Sequence, residues 1–184
     1  MKSTKGVAAL LAALAGIAML VAGPFMIAKG FNGQTQVRHQ LSAQKIVFPA
    51  KGSESLPAAQ ASFAGQKVVT GPQAKAYADM VETHVQAATG GQTYSEVSSK
   101  FMATGGKDAT LGQLRQTAFM GESLRGSLMG AYQAWEVTWL VIGLGALVTG
   151  LGAVFLGIGA ALKPRRIKVP ASPEALFTSE PVTS

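Results

Sequence analysis

The chain has 184 residues, of which 48% are hydrophobic and only 14% charged, and sixteen basic against nine acidic side chains give it a formal charge of +7. That is too apolar for an ordinary water-soluble domain, and the composition points to a membrane. Cysteine is absent, which excludes disulfides, thiolate chemistry and a lipid anchor carried on an N-terminal cysteine.

The first apolar run, residues 7–28, is uncharged and follows the basic pair Lys2 and Lys5. A bilayer core about 30 Å thick needs roughly 20 helical residues, and without water the backbone must bond to itself. The run is long enough to span. It is longer than the roughly 7–15 residues usual in a cleaved signal segment, and it is expected to stay on the protein. Residues 29–136 carry ten basic and seven acidic side chains and read as one mainly helical domain. In this stretch "VRHQLSAQ" could extend the first helix, while "KIVFP" and "QKVVT" favour strand and could pair as a small ribbon across "AKGSESLPAAQASFAG".

After "TGP" at 70–72, Ala74, Tyr77, Val81, Val85 and Ala88 recur at three and four residues, with Pro72 suited to a first turn and Gly90–Gly91 to a stop. Thr93 and Glu96 form a capping box ahead of Val97, Phe101 and Met102, and Gly105–Gly106 closes that helix. From Asp108 a near-heptad set, Leu111, Leu114, Ala118, Gly121, Leu128, Tyr132 and Trp135, continues to the second apolar run. No proline lies between 108 and 163, so one helix of about 80 Å is expected to cross both regions. Arg125 inside the stripe and the glycines at 121, 126 and 130 are its weak points.

The second run, residues 137–162, is uncharged and holds six glycines. Ala146, Gly150, Ala153, Gly157 and Ala160 share one helical face, and Gly145, Thr149, Gly152 and Gly159 share an adjacent one. In lipid, such small faces let another backbone approach closely. Ala8, Ala12 and Ala15, or Ala9, Ala13 and Gly16, offer matching faces on the first span. Either the two spans pack only on each other or the second also takes a partner helix. We single out Ala146, Gly150, Ala153 and Gly157 for helix packing. Tyr132, Trp135 and Trp139 are the expected interface anchors.

Lys163, Arg165, Arg166 and Lys168 follow the second span and should meet anionic headgroups. The positive-inside tendency then puts both termini in the cytoplasm and the 29–136 domain outside. Residues 1–6 form the cytoplasmic N-terminus, and the proline- and serine-rich stretch 163–184 reads as a disordered cytoplasmic tail. The expected fold is a mainly α membrane protein: two transmembrane helices in an antiparallel hairpin, carrying a helical external domain with room for a small β ribbon. No basic stripe interleaved with aromatics points to nucleic acid.

The series "VRHQLSAQKIVFPA", "GPQAKAYADMVETHV", "GGQTYSEVS" and "GESLRGSLMGAY" resembles a group of small actinobacterial two-span membrane proteins of unknown function, over roughly residues 5–162. Many members carry the automatic label "aromatic ring-opening dioxygenase". Such an enzyme using non-haem iron needs two histidines and a carboxylate on one face of the metal. The chain has two histidines in all, His39 and His84. Glu82 lies two residues from His84, a helical spacing that turns the pair apart, and Arg38 beside His39 discourages a cation. Nucleophile elbows, phosphate loops and zinc spacings are missing from the sequence, so no catalytic residue, metal or cofactor is expected. Asp79 and Glu82 read as a solvated pair. Transport would place an ionisable group at the midplane, and neither span has one.

Two functions follow as expectations. The first is a non-catalytic accessory or structural subunit that docks on a larger membrane complex, by analogy a respiratory supercomplex, or on its own copies. The second is a membrane-anchored extracytoplasmic module holding a lipid or small apolar ligand between its helices.

Overall fold

The computed structural model describes residues 2–162, and the basic residues Lys163, Arg165, Arg166 and Lys168, with the tail that follows, lie outside them. The described chain is mainly helical. Its elements are α1 (Lys2–Ala43), a short 3-10 turn (Ala58–Phe63), α2 (Gly71–Thr89), α3 (Tyr94–Ala103) and α4 (Ala109–Leu162). α1 and α4 are each long and apolar enough to cross a membrane. They lie antiparallel, with Ala9 against Gly159, Gly16 against Gly152, Gly23 against Gly145 and Gly30 against Thr138.

α1 takes in "VRHQLSA" as well as the first apolar run, since nothing in that stretch breaks a helix. It also passes through Pro24, which denies the Leu20 carbonyl its helical donor and is tolerated in membrane helices. Thr70 caps α2: its side chain accepts from Gln73 N, while the Gln73 side chain accepts from the Thr70 backbone N–H. Pro72 sits in the first turn, and Gly90 closes the helix at φ 61°, a left-handed conformation that glycine adopts without steric cost. The Thr93–Glu96 box caps α3 as the spacing predicts, with Glu96 Oε2 accepting from Thr93 N at 2.7 Å. Asp108 Oδ1 accepts from Leu111 N at 3.0 Å and caps α4.

The expected ribbon shrinks to one antiparallel bridge, Val47 with Lys67. Phe48 N donates to Gln66 O and Val68 N to Ile46 O. The pairing has no room to grow: Pro49 has no N–H to give, the turn after α1 occupies Gln44 and Lys45, and Thr70 already caps α2. The bridge nevertheless drives Phe48 and Val68 inward, at 2% and 1% exposure. They join Val37, Leu41, Ala74, Ala78, Met80, Leu128 and Trp135 in the core that binds α1, α2 and α4 together. Phe48 stacks on Phe63 with ring centroids 5.2 Å apart and meets Tyr77 edge-on at 5.1 Å.

Candidate helix-docking face on α4

Counted in sevens, α4 carries two rows of glycines in its apolar half, 145/152/159 and 143/150/157. The first row is buried. A Cβ placed on Gly145, Gly152 or Gly159 would lie 2.7, 3.0 and 3.0 Å from the carbonyl oxygens of Gly23, Gly16 and Ala9. Backbone meets backbone there, and only glycine permits it. α1 answers with its own row at seven-residue spacing, Ala9, Gly16, Gly23 and Gly30, all buried. Around Gly143, Gly150 and Gly157, by contrast, nothing among the described residues comes within 4 Å of such a Cβ.

The within-chain contact therefore goes to the adjacent face, and the residues singled out from the sequence, Ala146, Gly150, Ala153 and Gly157, are exposed. The physical reason is register. The buried stripe of the polar half, Leu128 and Trp135, continues by sevens to Ile142, Thr149 and Leu156, which flank the 145/152/159 row and not the other. The bare face continues a different seam. Ala118, Arg125 and Tyr132 repeat by sevens into Trp139, Ala146, Ala153 and Ala160. In the polar half that row faces α2: Arg125 pairs with Glu82 at 3.0 Å and with Glu122 at 3.2 Å, and Ala118 is fully buried. In the apolar half no element among the described residues covers it.

Trp135 departs from its expected place at the interface. It is 6% exposed because it belongs to the core row and because Gly71, at the start of α2, has no side chain: a Cβ there would run into Trp135 Cβ and Cγ. Trp139 is exposed at 51%, and Tyr132 is half-buried beside α2. The interruption at Arg125 is resolved by its two carboxylate partners, and Gly121 leaves room for the Val85 side chain.

His39 on α1 and His84 on α2 are both exposed, and the described residues hold no group of three or more potential metal ligands. Two groups in the polar half have shifted pKa values. Hydrogen bonding and charge attraction from Asp79, at 2.7 Å, raise the Lys75 pKa. Hydrogen bonds from the Thr93 backbone and hydroxyl lower that of Glu96. Both are surface contacts made within a single turn of helix.

One cleft lies where α1 ends against α4. It encloses about 270 Å³ and has Leu41, Ile46, Leu124 and Leu128 for walls, with Gln40, Gln44 and Ser127 among its lining residues. The two hydroxyls in the apolar half are spent on their own helix: Thr138 Oγ1 donates to Trp135 O at 2.6 Å and Thr149 Oγ1 to Gly145 O at 2.8 Å. Gln34 interrupts the row Ala13, Leu20, Ile27, Leu41 on α1, and its Nε2 is buried with no hydrogen-bond partner among the described residues.

Compared with known proteins, the chain matches no family model, no curated protein and no solved structure.

Proposed function

We propose that the protein is a non-catalytic integral membrane subunit: α1 and α4 cross the bilayer as an antiparallel hairpin, the polar half stands outside the membrane, and the bare face of α4 docks on a helix of a larger membrane complex or of a second copy. The observation that carries this reading is the duplicate glycine row. One row holds a helix at backbone contact, and its twin at 143/150/157 has the same spacing and no occupant among the described residues. Without a hydrophobic driving force between helices in lipid, small residues of this kind are what permits close packing. The exposed apolar side chains on both helices, among them Leu14, Val21, Leu140 and Leu147 at 54–70%, fit hydrocarbon and not water.

The cleft at the end of α1 favours a second reading, a module for a small apolar ligand, less strongly. Its volume falls just below the roughly 300–1,000 Å³ usual for ligand sites.

The test is purification of the tagged protein in a gentle detergent, with native sizing and identification of co-purifying chains, beside Gly150→Leu/Gly157→Leu. The docking reading expects a fixed assembly that the double variant loses while keeping its helix content and melting temperature. Equal size for both proteins, with no partner in either, would overturn it. A stoichiometric small molecule found by mass spectrometry in both would favour the ligand module.

A further inference from the structure

Lys29 is the one charged residue of α1 between Lys5 and Arg38, and the register of the helix pair sets its depth. Its neighbour Gly30 abuts the Thr138 carbonyl and the Ile142 side chain, so Lys29 stands level with residues already inside the second apolar run. It is exposed, on the flank of α1 one turn from Gly33, which meets the Thr138 side chain of α4. Helical side chains lean toward the N-terminus, here toward the apolar half, and the Lys29 ammonium lies 5.4 Å from the centre of the Phe25 ring. The ion pairs among the described residues are Lys75–Asp79, Arg125–Glu82 and Arg125–Glu122; none involves Lys29. A cation at this depth is costly without an anionic neighbour.

Above it the helix presents Asn32, Thr35 and Gln36, which with Lys29 and Gly33 line an open recess of about 520 Å³. The amides of Asn32 and Gln36 follow Lys29 at three and seven residues, on one face, and supply neutral donors beside the ammonium. Below it Phe25 and Val21, exposed at 62% and 68%, form an apolar track of acyl-chain character. A charged head with amide donors over an apolar column is the complement of one molecule class.

We infer that Lys29, Asn32 and Gln36 bind the phosphate of an anionic phospholipid in the leaflet next to the polar half, with an acyl chain lying along Phe25 and Val21. The inference rests on α1 crossing the bilayer, and it is independent of which side of the membrane the polar half occupies.

The test is native mass spectrometry of the full-length protein released from detergent with equimolar phosphatidylglycerol and phosphatidylcholine. A K163Q/R165Q/R166Q/K168Q background removes the other expected headgroup contacts. The site predicts a preference for phosphatidylglycerol of about fivefold, the worth of one basic residue at a membrane surface. Lys29→Gln abolishes that preference, Asn32→Ala/Gln36→Ala weakens it, and Lys29→Arg keeps it. An unchanged lipid ratio in Lys29→Gln overturns the inference, as does a wild-type protein without preference. So does an equal loss of free inorganic phosphate, which would mark a soluble-anion site. Carbonate extraction of membranes separates this failure from failure of the spanning reading, since a protein that does not span is released to the supernatant.

Discussion

Gly152 and Gly150 stand two residues apart on the same helix, and their surroundings are opposite. Gly152 has the backbone of α1 pressed against it, and Gly150 has open space. A helix turns by roughly 100° per residue, so two positions are enough to pass from one face to another. Glycine content therefore says that α4 can be approached closely, whereas the register of the whole molecule says from which side. The contrast also separates two settings of one residue type: the 145/152/159 row packs the helix pair together, and the 143/150/157 row is bare among the described residues.

The sharpest way to break that contrast is to fill each row in turn. Gly145→Leu forces a branched side chain into the Gly23 carbonyl and the Ile27 backbone N, at 2.7 and 3.0 Å from its Cβ, and neither backbone can yield. The expected cost is at or above the top of the about 1–3 kcal/mol usual for overpacking, with loss of the helix pair. Gly150→Leu should leave monomer stability unchanged. Unfolding of both variants in mixed detergent micelles, followed by circular dichroism, checks this, and equal losses would refute the assignment of rows.

Trp135→Ala comes next, with an expected loss of about 3–5 kcal/mol by the same measurement, as for other large aromatic truncations in a core. A loss below about 1 kcal/mol would instead mark an interface ring of the kind the sequence suggests. Gln34→Leu should stabilise the pair by about 1–2 kcal/mol, because it replaces a buried unpaired donor in an otherwise apolar row.

The smallest effect is a pH dependence. Glu96 has a lowered pKa in the folded chain, so its capping contribution is fully present above the ordinary carboxylate range and fades as pH falls through the folded value. Thr93→Ala should flatten that acid limb of the stability curve. An acid limb identical to that of the wild type would count against the box.

The helices of the polar half were legible because their ends are punctuated: Thr70 and Pro72, Gly90, Thr93 and Glu96, Asp108. These are local rules, and local rules survive in the fold. The ribbon was only half legible. Strand propensity in "KIVFP" and "QKVVT" marked the right residues, but it did not register that Pro49 and the flanking helix ends leave room for one bridge. The packing face of α4 was the least legible, since both glycine rows satisfy the same spacing rule. A distinguishing signal was nevertheless present. Carrying Leu128 and Trp135 forward by sevens leads to Ile142, Thr149 and Leu156, and Ala9, Gly16, Gly23 and Gly30 repeat at the same interval on α1. Trp135 was misplaced for a related reason: tryptophan at the edge of an apolar run signals an interface, and only the missing side chain at Gly71 shows that the ring is covered.

α4 runs from Ala109 to Leu162 without a break, so its apolar and polar halves share one axis. A bilayer thinner or thicker than the apolar length is accommodated by tilt, and over an axis of about 80 Å a tilt of about 5° carries the far end through an arc of about 7 Å. With α4 crossing the bilayer as proposed, the helix would be a lever whose short movements in lipid are read out at Ala109, and a protein resting on that distal end would sense the thickness of a membrane it never touches.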